Sequence, residues 1–327
     1  MKPMIRIVAG GEDVTAPVSA RLIDLRITDE AGIEADTLTL TLDDRDGQLI
    51  VPPHQSRVQV WLGILGGPRP VPLTSMGSWQ VDETELSGPT RMLRISATAA
   101  DMSGPIRSPR TRAWEATTLG DIARTIAGAA GLNPVIAEDL AQVAVPYVAQ
   151  SAESDLHLLT RLVRRVAGIV KPADGRLVVA RRGAAIAADG TALGAVALTA
   201  ADTQSWTWRA ADRGKYASVE ASWTELGTAA VNKVVVGEGD PKRVLRHVHA
   251  TEDEARRAAQ AALAEGKRGA QTLTLRLAGF RPDAFAGARV TFADLRPETA
   301  GAWTVVSAVH ELSRTLTTEL SLERPAE

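Results

Sequence analysis

The chain has 327 residues, more than one ordinary domain needs, with 45% hydrophobic and 23% charged residues, the proportions of a soluble globular protein. A net charge of −2 excludes a protein held on nucleic acid by a general excess of positive charge. The absence of cysteine excludes disulfides, thiolate metal sites and a cysteine nucleophile, and suits assembly in a reducing cytosol.

The N-terminal MKPMIRIVAGG has one short apolar run and lacks the apolar segment of a signal peptide. No stretch approaches the roughly 20 apolar residues that cross a bilayer. Residues 1–101 read as strands throughout. In ADTLTLTL, Leu38, Leu40 and Leu42 share one face and Thr37, Thr39 and Thr41 the other, the period-2 pattern of a half-buried strand. Asp46-Gly47 marks a turn, RVQVWLGIL alternates again, and SWQVDETEL and RMLRISATAA follow, separated by Ser87-Gly88-Pro89. Short strands at this spacing predict a sandwich or small barrel over 1–107.

From SPRTRAW onward the pattern changes, and 108–184 is expected to be a small α/β insertion. Thr118 is placed to cap a helix carrying Leu119, Ile122, Ile126 and Ala129, and Gly131 to stop it. A second helix is predicted to begin near Ser151 or Ser154, with Glu153 and Asp155 in its first turn and Arg161, Arg164 and Arg165 toward its end, the polarity that the helix dipole favours. Two short strands joined around Asp174-Gly175 complete the unit. Residues 185–230 read as connector followed by strands of a second barrel, including Trp206, Trp208 and Trp223. Residues 231–270 read as a second small α/β insertion, ending in a helix with a Thr251/Glu254 capping box, and 271–327 as the rest of the second barrel.

An internal echo organises these pieces. Arg57-Val58-Gln59-Val60 precedes Gly77-Ser78-Trp79-Gln80-Val81, and Arg289-Val290-Thr291-Phe292 precedes Gly301-Ala302-Trp303-Thr304-Val305. Alternation puts Trp79 with Val81, and Trp303 with Val305, on one face of each strand, as core candidates. The fold class is therefore mainly β with α+β insertions: two similar antiparallel β-barrels with small α/β domains between their parts.

Four constellations could carry chemistry. Ser154, Asp155 and His157 are the types of a catalytic triad, but on a helix Asp155 points away from the other two, so a capping serine and a solvated histidine are expected. His247 and His249 share a strand face beside Glu252 and Asp253, yet a metal needs three or four ligands, and exposed strand histidines are expected. VVVGEGD has two of the three glycines of a dinucleotide turn and no following helix to hold a pyrophosphate. The carboxylates Asp43, Asp44 and Asp46, and Asp82, Glu83 and Glu85, could pair as in a glycosidase, but sit in turns or on an alternating strand. No catalytic, cofactor or metal residues are assigned.

In this order the segments resemble the late control protein D family of phage tail baseplate hubs, related to the phage-like base of type VI secretion spikes. The resemblance is carried by EADTLTLTLDDRDGQLIVPP with RVQVWLG and GSWQVDETELSGP, and by TRAWEATTLGDIARTIAGAAGL. It continues in QSAESDLHLLTRLVRRVAGIVKPADGRLVVARRG, in which Gln150, Glu153, Ser154 and Asp155 form the family's helix-opening run. TEDEARRAAQAALAEGKRGAQTLTLRLAGF, FAGARVTF and GAWTVVSAVHELSRTLTTELSLE, with His310, complete it.

The resemblance implies a non-enzymatic virion protein without cofactors, assembled in the host cytoplasm and placed in the tail baseplate. Its two tube-like barrels imply a homotrimer with pseudo-sixfold symmetry, joining the hexameric tail tube protein to a trimeric central spike protein. Tape-measure protein and other baseplate proteins are further implied partners, with DNA passing through the lumen without specific binding. Since the chain ends soon after the second barrel, any spike or lysozyme module is expected on another polypeptide. The alternatives are the same hub in a genome-free contractile device of bacteriocin or secretion type, or a tail-associated cell-wall hydrolase using Asp82 or Glu83.

Overall fold

The computed structural model describes residues 2–32, 35–99, 104–173, 175–183, 194–211, 216–225, 228–268 and 270–325. The first unit is built from β1 (Lys2–Ala9), β2 (Glu12–Asp13), α1 (Thr15–Arg21), β3 (Leu22–Glu30), β4 (Thr37–Asp43), β5 (Arg57–Leu65), β6 (Val71–Ser87) and β7 (Met92–Ala99). Its strands pair in the order β3-β4-β7-β6-β5-β1-β2. The alternation in β4 buries Leu38, Leu40 and Leu42 against Ile7, Leu25, Val60 and Trp79. Ile7 and Leu25 belong to opposite ends of this path, so the sheet curls until its ends share one core. The helix α1 departs from an all-strand reading of 1–101. Its TAPVSAR sequence is too short for an apolar stripe, and it is held by tertiary contacts: Val14 and Val18 pack on the core, and Thr15 Oγ1 accepts from Ile7 N at 2.9 Å.

The second barrel-like unit comprises β13 (Val196–Leu198), β14 (Thr203–Ala210), β18 (Gln271–Leu277), β19 (Arg289–Phe292), β20 (Gly301–Leu312) and β21 (Leu316–Glu323). Its path is β14-β18-β21-β20-β19-β13, around a core of Leu273, Leu275, Val290, Trp303, Val305 and Leu320. Strand β20 also pairs with β3, from Ser307↔Glu30 to Leu312↔Leu25, so one continuous sheet runs through both units. Its side chains serve both cores: Trp303, Val305 and Ala308 in the second, Leu312 in the first.

Two smaller layers are inserted, one between the units and the other within the second unit, between β14 and β18. The first contains an antiparallel ribbon of β8 (Pro109–Thr118) and β10 (Ala144–Ser154). It also contains a three-stranded sheet, β11 (Gly168–Ala173), β12 (Arg176–Arg181) and β9 (Asn133–Ile136), and helices α2 (Leu119–Ala130), α3 (Glu138–Ala141) and α4 (Asp155–Arg164). Thr118 caps α2 by accepting from Asp121 N, and Gly131 ends it at φ 71°, a left-handed turn that glycine adopts without strain. Asp174, placed in the β11–β12 turn from sequence, lies outside the described residues, as do 184–193 of the expected connector.

The second layer is the sheet β16 (Val231–Gly237), β15 (Ser218–Thr224), β17 (Lys242–His249), with α5 (Glu252–Arg268) packed on one face through Ala255 and Ala259. Strand β15, assigned from sequence to the second barrel, instead pairs antiparallel with β16 and parallel with β17. At α5 the Thr251 hydroxyl accepts from Glu254 N at 3.2 Å, while the Glu254 carboxylate takes the N–H of Ala250, one residue before the cap.

Candidate functional site

The echoed segments adopt one geometry. Across β5 and β6, Arg57, Val58, Gln59 and Val60 face Gln80, Trp79, Ser78 and Gly77. Across β19 and β20, Arg289, Val290, Thr291 and Phe292 face Thr304, Trp303, Ala302 and Gly301. The register is the same at all four positions. Gly77 and Gly301 have φ of 118° and 97°, values that L side chains rarely adopt, so glycine is needed at the same point of both ladders. Trp79 is 2% exposed and Trp303 0%, with Val81 and Val305 buried beside them. The indoles differ in one respect: Trp303 Nε1 donates to Thr299 O at 2.8 Å, whereas Trp79 Nε1 is buried without a partner among the described residues.

The run Gln150, Glu153, Ser154, Asp155 forms a clamp. A bulge between Gln150 and Glu153, with Ala152 at φ 47°, shifts the register by one residue, after which Glu153 and Ser154 still pair with Arg110 and Pro109 of β8 before α4 begins. Asp155, 1% exposed, accepts from Arg112 Nη2 at 2.6 Å and Gln150 Nε2 at 2.8 Å, with Arg110 Nε at 3.4 Å. Gln150 Oε1 accepts from Arg112 Nε and Trp114 Nε1. Glu153 is bidentate to Arg161, and that contact, opposed by burial, holds its carboxyl below the usual range. Ser154 caps α4 by accepting from His157 N at 3.2 Å. The motif thus fixes a ribbon to a helix. The side chains of Ser154 and His157 are engaged in a cap and an exposed position, and Asp155 is consumed by arginines.

A third cluster ties the first barrel-like unit, the first insertion and the second unit together. Lys171 on β11 reaches Asp29 on β3, Asp36 at 3.0 Å and Glu30 O at 3.1 Å. Asp29 also accepts from Ala286 N at 2.8 Å, in the segment between β18 and β19. Burial works against the Lys171 charge, but the two carboxylates outweigh it and hold the ammonium's pKa up. Burial, with Asp29 beside it, pushes the Asp36 carboxyl up to about 6. His310, buried on β20, shares a hydrogen bond with Thr318 Oγ1 at 3.0 Å and stands edge-on to Phe280. Its burial lowers its pKa to about 4.

His247 and His249 stand 4.8 Å apart, edge to face. The expectation of exposed histidines fails at His249, which is 4% exposed because β17 turns it under α5. Among the described residues no group of three His, Cys, Asp or Glu side chains is arranged to hold a metal. Asp82, Glu83 and Glu85 lie exposed on β6. Sequence reasoning did not find the Asp29–Asp36–Lys171 cluster, whose members are 135 and 142 residues apart and carry no local signature.

The chain is a pair of curled sheets joined edge to edge into one, with α/β insertions and buried ion pairs bracing them. Residues 87–316 match the family model described as "Phage tail baseplate hub (GPD)", and the chain belongs to that family. Proteins of Escherichia phages 186 and P2, each described as "Probable baseplate hub protein", are 30% identical over 99% of this chain and 93% of their own lengths. Among solved structures, a tail protein from Neisseria meningitidis MC58 aligns with a TM-score of 0.75 at 16% identity, over 99% of this chain and 97% of that one. The 43 kDa tail protein of prophage MuSo2 from Shewanella oneidensis gives 0.73 at 16% identity, over 99% of both chains. A component of the Escherichia coli type VI secretion system gives 0.54 at 10% identity, over 100% of this chain and 77% of that one. These structural likenesses establish the shared fold.

Proposed function

We propose that the chain is a structural hub of the phage tail baseplate, acting without catalysis in the virion tail after assembly in the host cytoplasm. Three copies form a ring in which six similar barrel-like units alternate, and the ring joins a hexameric tail tube to a trimeric central spike. The observation that carries this reading is the common register of Val58–Trp79 and Val290–Trp303 in two units of one sheet. A subunit with two look-alike units lets a threefold assembly offer a sixfold face, and head-to-tail contacts whose rotation closes give a ring. Exposed sheet edges are then covered by neighbours.

In this reading 1–107, the strands within 196–210 and 271–327 supply barrel, and 108–184 and 218–268 supply insertions. The insertions face the spike, leaving the barrels to meet the tube. The lumen wall is not basic, so a tape-measure protein and DNA pass without being held through counterion release. The test is electron microscopy of the purified chain mixed with its cognate tube and spike proteins. The reading expects a hub particle at one end of each tube, insertions turned toward the spike. Binding to neither protein overturns it.

A further inference from the structure

The two insertions flank an open cleft of about 500 Å³ between the C-terminal end of α4, strand β17 and α5. Six arginines line it: Arg164, Arg165, Arg182, Arg243, Arg246 and Arg268. Arg182 pairs with Glu323 at 2.8 Å, and Arg268 shares that carboxylate at 3.9 Å. Among the described residues, Arg164, Arg165, Arg243 and Arg246 have no carboxylate within ion-pair distance, though Glu254 and Glu153 act on Arg165 from farther off, and the one acidic side chain on the wall is Glu265. In a protein of net charge −2, this is a local concentration of uncompensated positive charge.

Helix polarity explains part of it. Arg164 and Arg165 sit at the end of α4, and Arg268 at the end of α5, where cations are favoured. It does not explain Arg243 and Arg246, which are strand residues. The β15–β17 ladder jumps from Glu220↔Val244 to Ser222↔Val248, so the β17 stretch holding Leu245, Arg246 and His247 bulges out of register. Arg243, Arg246, His247 and His249 all line the cavity. In its wall His249, more than nine-tenths buried, has both ring nitrogens without a hydrogen-bond partner among the described residues, and the equally buried Arg268 Nε makes no hydrogen bond, its nearest carboxylate being Glu323 at 3.9 Å. Buried polar groups are normally satisfied, and these line a space that a ligand can fill. Burial first, then His247 and Arg165, hold the His249 pKa down to about 4.

We propose that this inter-insertion cleft is a binding site for a phosphate-class oxyanion. A tetrahedral phosphate offers several oxygens in different directions, and guanidinium forks arriving from α4, β17 and α5 suit it better than one planar carboxylate, which a single arginine satisfies. This inference goes beyond the hub assignment and does not depend on ring formation.

The experiment is isothermal titration of the full chain with sodium pyrophosphate at about 0.15 M salt, where exposed charges are largely screened. Saturable one-to-one binding is expected, weakened at least about tenfold in the Arg243→Gln/Arg246→Gln variant, the loss of one charge-assisted hydrogen bond or more. Neither arginine makes an ion pair, so that variant is expected to keep the wild-type thermal midpoint; Arg164→Gln is a second, independent probe. Inorganic phosphate and a ten-nucleotide single strand of DNA, each competed against pyrophosphate, tell a free phosphate from a nucleic-acid backbone as the source. No saturable binding, equal binding by wild type and both variants, or tighter binding of triglutamate than of pyrophosphate overturns the proposal.

Discussion

Trp79 and Trp303 are register equivalents: each stands opposite a valine, Val58 or Val290, two residues after a glycine held at positive φ. Both rings are buried in separate cores of one continuous sheet. Truncating either to alanine is expected to cost about 3–5 kcal/mol in chemical denaturation. The phenylalanine variants separate the two sites. Trp303→Phe leaves Thr299 O without its donor and is expected to cost about 1 kcal/mol more than Trp79→Phe, whose indole N–H has no partner to lose.

Asp155 is the negative centre of the clamp between β8, β10 and α4. Asp155→Ala leaves Arg112 without its buried carboxylate and is expected to destabilise the chain by about 3–5 kcal/mol. Asp155→Asn, which still accepts a hydrogen bond, is expected to cost less. Urea unfolding monitored by tryptophan fluorescence measures both; one of the seven indoles, Trp114, donates to Gln150 in the same network.

His310 titrates in the folded state near 4 rather than near its ordinary value because it is buried. Its contribution to stability is therefore complete above about pH 6.5 and is lost as pH falls through 4, up to about 3 kcal/mol. An NMR titration is expected to show its ring neutral at pH 5. A folded-state midpoint near 6.5 would show that the ring is solvated.

The junction of Asp29, Asp36 and Lys171 has the opposite pH sign. Asp36 is raised to about 6, so its contribution is complete below about pH 4 and is lost as pH rises through 6. Lys171→Met removes the cation that both carboxylates share. The variant is expected to lose more stability at pH 8 than at pH 4, where the Asp36 carboxyl is protonated. Denaturation midpoints of both proteins across that range test this; parallel curves would contradict it.

Local patterns showed through the sequence where a residue's partners are close in the chain. The leucine–threonine alternation of β4, the Thr118 and Ser154 caps, and the Gly131 stop are such features. The echo was legible because a strand pair and its glycine leave a fixed spacing even when the barrels lie more than 200 residues apart. The helix α1 was not, since seven residues held by Val14, Val18 and Thr15 have no periodicity of their own. Strand β15 was misassigned because its alternation states that one face is buried, not which strands lie beside it. The clamp residues Gln150, Glu153, Ser154 and Asp155 were legible as a motif. Their partners Arg110 and Arg112 were not, because a bulge, invisible to periodicity, brings them together. The arginine cleft was silent for the same reason: its charges come from four separated segments.

The account rests most directly on the number of chains in the assembly and the symmetry of its lobes. Mass photometry of the purified chain, followed by electron microscopy of the particles, measures both. It predicts a mass of three chains and a ring of six similar lobes around an opening. A particle that stays a single chain at every concentration, or a twofold dimer whose lobes enclose no opening, contradicts it.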